Sequence, residues 1–144
     1  MKNLTITLLV FFLVPVLLLS CKKDNDDDDN QPEPKVYTIN YSFDISKGNF
    51  ENLVIQYADK DQQMQTLNSP QLPWSMELTN VSGGRSVKLI VNFTGKPSDE
   101  LIYNGEAKYE GNGAFDIKNC GQTISGLTTD VPLSCNLETQ TPSN

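Results

Sequence analysis

The stretch Val36–Ile45, VYTINYSFDI, decides the fold class, because apolar and polar side chains alternate along it without a break. One side carries only apolar and aromatic residues, namely Tyr37, Ile39, Tyr41, Phe43 and Ile45. The other side carries Thr38, Asn40, Ser42 and Asp44. A period of two over this length predicts a β-strand with one face in the core and one face in water.

The same alternation returns along the chain and predicts a small all-β domain over residues 36–138. Leu53–Ala58 and Met64–Leu67 are expected to form a hairpin around the polar segment 59–61. Seven to eight short strands over this length indicate an antiparallel β-sandwich of immunoglobulin-like size. The polar segment 139–144 is expected to fray. Further strands are predicted around Trp74–Leu78, Val87–Phe93, Leu101–Tyr103, Glu106–Tyr109, Phe115–Ile117 and Val131–Leu137.

Turn signals separate these strands. Asn104-Gly105 stands between two of them, and Asn-Gly is the strongest short hairpin signal because both residues tolerate a positive φ. We therefore predict a two-residue turn at Asn104-Gly105. Gly83-Gly84 and the segment 111–113, Gly-Asn-Gly, are expected to be simple turns.

The first twenty residues have the features of an export signal. Lys2 supplies a positive start, and Leu4–Leu19 is apolar apart from two threonines and one proline. The run is short for a membrane span and typical of a signal-peptide core. Residues 18–21, LLSC, resemble the lipobox of bacterial lipoproteins. The resemblance implies that residues 1–20 are cleaved off and that Cys21 carries the lipid.

Residues 21–35 are predicted to be a disordered acidic tether behind the lipidated cysteine. Between residues 22 and 35 the only apolar type is proline, and six acidic residues outnumber three lysines. The alternating aspartates resemble the start of a calcium-binding EF-hand loop. Asp29 and Lys35 stand where that loop needs glycine and glutamate, so no metal site is predicted here.

The residues directly after Cys21 also bear on localisation. Two lysines followed by acidic residues resemble the surface-export signal of some Gram-negative lipoproteins. We therefore expect an outer-membrane lipoprotein at the cell surface, with a periplasmic orientation as the alternative. The membrane, reached through the lipid anchor, is the first expected partner.

Composition excludes several classes of function. The chain has 11 Lys+Arg against 18 Asp+Glu, a formal net charge of -7 and no histidine. The acidic balance argues against a nucleic-acid partner, because phosphates require a cationic surface. Histidine is the side chain most used for acid–base chemistry near neutral pH. Since phosphate-binding loops, nucleophile elbows and metal-ligand clusters are also absent from the sequence, we predict no catalytic residue, no metal and no cofactor.

The cysteine count is odd, and lipidation of Cys21 leaves Cys120 and Cys135 as a pair. Because an exported domain reaches an oxidising compartment, we predict a structural disulfide between them. Cys135 shares its predicted face with Leu133 and Leu137, so its sulfur should point into the core. Cys120 is expected to approach it from the end of a strand.

Trp74 and Tyr57 are the aromatic residues for which a ligand-facing role is considered. Trp74 is interpreted first as a core residue between the sheets, because tryptophan buries a large area. The alternative is a platform on which a sugar ring stacks. Tyr57, like the other tyrosines of the domain, is compatible with a core, edge or ligand-facing position.

The stretch Tyr57–Phe93 resembles the small β-sandwich domain of the MmpS-like family of transport-accessory membrane proteins. The shared pattern is a tyrosine-bearing strand, a polar turn and a Gln-rich return, followed by Leu-Pro-Trp-Ser at residues 72–75 and an apolar strand after a glycine turn. The resemblance implies a non-enzymatic sandwich and an accessory role beside an export system.

The sequence therefore predicts a non-enzymatic, lipid-anchored β-sandwich that serves as a binding or transport-accessory module, with an envelope protein or a glycan as partner. An adhesion or assembly subunit that pairs through an edge strand is the first alternative. A small carbohydrate-active enzyme is the second, because carboxylates are numerous enough to supply a pair.

Overall fold

The structure, a computed structural model, describes residues 33–143. The predicted signal peptide, Cys21 and most of the predicted tether lie outside the described residues. None of the described residues belongs to a helix long and apolar enough to cross a membrane. The prediction of an all-β domain with seven to eight strands is confirmed. The eight strands are β1 (Val36–Lys47), β2 (Phe50–Ala58), β3 (Met64–Asn68), β4 (Trp74–Ser82), β5 (Ser86–Gly95), β6 (Ser98–Gly111), β7 (Ala114–Leu127) and β8 (Val131–Gln140).

The strands form two four-stranded antiparallel sheets. Sheet A has the order β4-β1-β6-β7 and sheet B has the order β3-β2-β5-β8. The long first strand is therefore central in sheet A, and β5 is central in sheet B. Strands β3, β4, β7 and β8 are the four edges.

The core lies between the sheets and follows the predicted alternation. In β1 the side chains of Tyr37, Ile39, Tyr41 and Phe43 are buried, and the residues between them are half-buried on the outer face. Strand β5 presents its buried residues from the opposite sheet, and the rings of Phe43 and Phe93 meet with centroids 5.7 Å apart. This packing of two antiparallel sheets face to face is a β-sandwich, as predicted.

Tyr41 ties the two sheets together through its hydroxyl group. The hydroxyl donates to the carbonyl oxygen of Ala58 at 3.0 Å and accepts from the amide of Lys88 at 3.2 Å. Both partners belong to sheet B, so a buried polar group finds its hydrogen bonds across the core. Burial raises the pKa of Tyr41 to about 12, which keeps the phenol neutral at ordinary pH.

The predicted disulfide is present and also joins the two sheets. Cys120 in β7 is bonded to Cys135 in β8, with Cα atoms 5.8 Å apart. Cys135 is buried in the core, as expected. The expectation that Cys120 lies at a strand end was wrong, because Cys120 pairs with Gly105 in the middle of β7.

A second contact ties the same two edge strands. The hydroxyl of Thr139 in β8 donates to the carboxylate of Asp116 in β7 at 2.6 Å. This bond is the main cause that holds the pKa of Asp116 below its usual range, and Lys118 adds to it. The disulfide and this hydrogen bond together fasten one side of the sandwich.

The prediction of a hairpin turn at Asn104-Gly105 was wrong. Strand β6 runs straight through both residues, from Ser98 to Gly111. A Cβ on Gly105 would lie 2.7 Å from the Cys120 sulfur and 3.0 Å from the Cys135 sulfur. Glycine stands here because the disulfide packs directly on the backbone, which a local turn rule does not register.

The hairpin turn lies at the other Asn-Gly pair. Gly111 in β6 pairs with Ala114 in β7, so the loop consists of Asn112 and Gly113 alone. Both have a positive φ, 48° and 73°, as a type I′ turn requires. The side-chain amide of Asn112 also donates to the Val36 carbonyl oxygen at 2.7 Å and fixes the turn against β1.

Of the segment 139–144 that was expected to fray, residues 139–141 are held in the fold, and residue 144 lies outside the described residues. Strand β8 continues to Gln140, and Thr141 is 1% exposed. The Thr141 amide donates to the Arg85 carbonyl oxygen, and its hydroxyl accepts from the Arg85 amide, both at 2.9 Å. A polar tail is ordered here because it pairs with a segment 56 residues earlier in the chain.

The chain enters and leaves the sandwich at the same end. The amide of Gly83 donates to the carbonyl oxygen of Lys35, and the amide of Gly84 donates to that of Thr141. We call this end, where the chain enters and leaves the sandwich, the near pole. The far pole carries the β1–β2, β5–β6 and β7–β8 connections at residues 48–49, 96–97 and 128–130.

Candidate functional site

Trp74 and Tyr57 lie against each other between the sheets. Trp74 begins β4 of sheet A and pairs with Phe43, while Tyr57 belongs to β2 of sheet B. Their ring centroids are 5.5 Å apart. Tyr57 is 8% exposed, and Trp74 is partly buried against the core. The packing supports the core interpretation of both rings, since the Tyr57 ring offers little surface to a ligand.

The outer side of sheet B carries an extended surface without charge, which we call the neutral face. Its side chains are amides, hydroxyls and a few half-buried apolar groups. Because register places them in rows across all four strands, the surface is continuous. Its members are Val54, Gln56, Thr66, Asn68, Ile90, Asn92, Thr94, Pro132, Ser134 and Asn136.

Two complete rows form the centre of the neutral face. The first row runs from β3 to β8 as Asn68, Val54, Asn92, Ser134, and the second as Thr66, Gln56, Ile90, Asn136. The surface measures about 14 Å across the four strands and about 13 Å along β5 from residue 90 to residue 94. These dimensions match a short oligosaccharide of two or three sugar rings.

Charged residues border the neutral face at both ends and are paired. Toward the near pole, Lys88 and Glu138 form an ion pair at 3.0 Å. Toward the far pole, Lys96 contacts Glu51 at 2.8 Å and Asp130 at 2.7 Å. The hydrogen bond from Lys96 to Asp130, followed by that to Glu51, raises the pKa of Lys96. The ion pairs lie outside the rows, so an acidic protein presents a local surface of zero charge.

A depression of about 400 Å³ opens at the far-pole end of this surface. It is lined by Asn52, Asn92, Thr94, Pro132 and Ser134, together with parts of Phe93 and Leu133. Asn52 has a positive φ of 55° at the irregularity where β2 leaves the register of β5. The irregularity moves the Asn52 side chain to the rim of the depression.

The free polar groups of the neutral face suit a ligand with many hydroxyl groups. Among the described residues, no side-chain hydrogen bond occupies Asn92, Ser134 or Asn136, while Gln56 donates to Thr66 at 3.2 Å. Each free amide offers two donors and an acceptor, and each hydroxyl offers one donor. Val54 and Ile90 supply apolar contact for the C–H faces of a sugar. A charged ligand would find no counter-charge within the rows.

The described residues contain no group of three metal-binding side chains, and the Asp59 carboxylate at the β2–β3 turn is already occupied. It accepts from the amides of Asp61 and Gln63 and from the side chain of Gln65. These bonds, that of Gln63 first, lower the pKa of Asp59. Asp59 therefore shapes its turn.

No family model matches this chain, and no curated protein matches it either.

Sequence reasoning identified the alternation that creates the neutral face but not the face itself. Asn92 alternates with the apolar residues of the predicted strand Val87–Phe93, so its outward direction follows from the pattern. Ser134 and Asn136 are likewise the residues that alternate with the predicted inward positions of β8. The rows appear only when the register of four strands is known, and β2 and β8 are far apart in sequence.

Proposed function

We propose that this protein is a non-enzymatic, lipid-anchored binding module outside the cytoplasm, and that its neutral face binds an uncharged glycan. The single observation that carries the proposal is the pair of uncharged amide and hydroxyl rows on an otherwise acidic protein. Binding without chemistry is consistent with an open surface, because active sites are preferentially clefts that shield the reacting groups from water.

The position of the depression supports the same proposal. The chain enters the sandwich at the near pole, where the predicted tether and anchor would join it. The depression lies toward the far pole, so an anchored molecule would present it away from its own attachment point. The lysines and acidic residues after Cys21 support placing this surface on the outside of the cell.

The first test is substitution on the neutral face. We expect Asn92→Asp to weaken binding of neutral β-glucan, xylan or mannan fragments by about 10-fold, because it removes two donors and adds an unpaired charge. Asn104→Asp is the matched control, since it makes the same change of charge at an exposed position on sheet A. Its affinity should stay within about 2-fold of the wild type. Isothermal titration calorimetry on the purified protein measures both.

Two outcomes would contradict the glycan assignment. One is a wild-type protein that binds none of the neutral fragments at millimolar concentration. The other is an equal loss of affinity in both variants, which would indicate a general charge effect. Failure on all glycans would favour an accessory role beside an export system, which the Leu-Pro-Trp-Ser resemblance supports.

The anchor has its own test, which does not depend on the ligand. We expect Cys21→Ala to abolish incorporation of a palmitate analogue, to slow processing of the signal peptide and to move the processed protein from the membrane to the soluble fraction. The reason is that acyl chains supply about 0.8 kcal/mol per buried methylene and no other membrane attachment is proposed. Ser20→Ala, beside the same cleavage site, should still be labelled. Labelling of the Cys21 variant at the wild-type level would refute the lipoprotein proposal.

A further inference from the structure

The four edge strands of the sandwich differ in how well they are protected from pairing with another strand. Strand β3 has only five residues. Strand β4 contains a bulge, where its register with β1 shifts and Asn80 has a positive φ of 58°. Strand β8 carries Pro132 and Glu138. Short length, bulges, proline and edge charges are the usual protections against edge pairing.

Strand β7 lacks these protections between Asn119 and Ser125, because its two charged residues, Asp116 and Lys118, and the positive-φ Gly126 lie outside that segment. It has 14 residues and pairs with β6 from Ala114 to Leu127 without a register shift. It contains no proline, and no residue from Asn119 to Leu127 is charged. The segment from Asn119 to Ser125 is therefore a regular and uncharged edge, which is a template for β-sheet extension.

The geometry of the hairpin shows which backbone groups of β7 face the open edge. Gly111 and Ala114 flank a two-residue turn and form a hydrogen-bonded pair, so alternate residues from Phe115 onward point away from β6. The Ile117 amide confirms this alternation, because it donates to the Asp116 carboxylate and not to β6. The backbone amides and carbonyls of Asn119, Gly121, Thr123 and Ser125 therefore face outward.

We propose that β7 pairs antiparallel with β7 of a second copy of this chain, centred on Gly121. In this register Gly121 lies opposite itself, and Asn119 lies opposite Thr123 of the second copy. The outward-facing residues of one strand thus meet those of the other, and the two sheets A join into one sheet of eight strands. The interface is isologous, as in most homodimers.

Charge favours this register for a second copy. The only charged residues of β7 are Asp116 and Lys118. Centring on Gly121 places Asp116 opposite Gly126 of the second copy, and Lys118 opposite Ile124. No like charges face each other, although directly opposed like charges are the usual obstacle to self-pairing.

Net charge predicts the salt dependence of the dimer. Each chain is acidic, with a formal net charge of -7, so two copies repel each other at low ionic strength. The contact itself is made by neutral backbone groups. Screening should therefore strengthen dimerisation as salt increases, whereas an interface built on ion pairs would weaken.

The test is sedimentation equilibrium of the full chain in a density-matched non-ionic detergent over a range of protein and salt concentrations. We expect a monomer–dimer equilibrium that shifts toward dimer with salt. Thr123→Pro removes an outward-facing donor and leaves the bonds to β6 intact, so it should raise the dissociation constant by at least about 10-fold. Thr123→Ala keeps the donor and should change it less than about 3-fold.

A monomer at every concentration would overturn the proposal, and so would a dimer that Thr123→Pro leaves unchanged. If the proline variant does not fold, amide hydrogen exchange of the wild type decides. The amides of Asn119, Gly121, Thr123 and Ser125 should exchange more slowly as concentration rises. If these four amides respond to protein concentration no differently from the other amides of β7, the dimer contact lies elsewhere and the proposal is wrong.

Discussion

Replacing Cys135 by serine is expected to lower the free energy of unfolding by about 2–5 kcal/mol, as loss of a native disulfide does in small exported domains. The disulfide closes a loop with a sequence separation of 15 and ties β7 of sheet A to β8 of sheet B. Its removal gives the unfolded chain more freedom. It also leaves a hydroxyl group in a core position that is 2% exposed.

Urea unfolding followed by Trp74 fluorescence measures this effect, since the chain has a single tryptophan. The reduced wild type is the matched control, because it loses the covalent tie but keeps a sulfur atom in the core. The free energy of unfolding of the reduced wild type should lie between that of the oxidised wild type and that of the variant. Coincident unfolding midpoints for all three, or two titratable thiols at 120 and 135 in non-reduced protein, would show that the bond is not formed.

Gly105→Ala is expected to destabilise the sandwich by about 1–3 kcal/mol, the usual cost of overpacking a core. The added methyl group would lie 2.7 Å from the Cys120 sulfur, 3.0 Å from the Cys135 sulfur and 3.1 Å from the Phe43 ring. A disulfide anchored in two strands cannot move aside as a free side chain would. Gly105→Val should cost more.

Gly121→Ala is the matched control on the neighbouring strand. Its new methyl group would meet the amide oxygen of Asn104 at 3.0 Å, and Asn104 is an exposed side chain that can move. We expect little change or a gain of about 0.4–1 kcal/mol from the less flexible unfolded chain. The cost of Gly105→Ala should also shrink in a Cys135→Ala background. Equal effects of the two glycine substitutions would contradict the steric explanation.

The fold was predictable from sequence because alternation is a local signal, and β1 shows it over ten residues. The turn at Asn104-Gly105 was mispredicted because two Asn-Gly pairs look alike to a local rule. What distinguishes them is a disulfide whose second cysteine, Cys135, is 30 residues beyond Gly105. The order of Thr141 depends likewise on Arg85, which is distant in sequence.

The candidate site was less predictable than the fold. Alternation identifies the outward-facing polar residues of a single strand, such as Asn92. It does so for the strands of sheet A as well as for those of sheet B. Only the register between the strands shows which of these residues share an outer surface. On sheet A it places Lys108 and Glu106 next to Asn40 and Ser42, whereas on sheet B it gathers neutral side chains.

The entry of the chain through β1 determines how the domain responds to force. A pull at Val36 acts along a central strand that is paired on one side with β4 and on the other with β6. Antiparallel hydrogen bonds lie perpendicular to the strands, so this load shears both ladders at once and cannot open them one bond at a time. Shearing many bonds together requires more force than unzipping them. A molecule held by its N-terminal end against flow would therefore keep its far pole intact under tension.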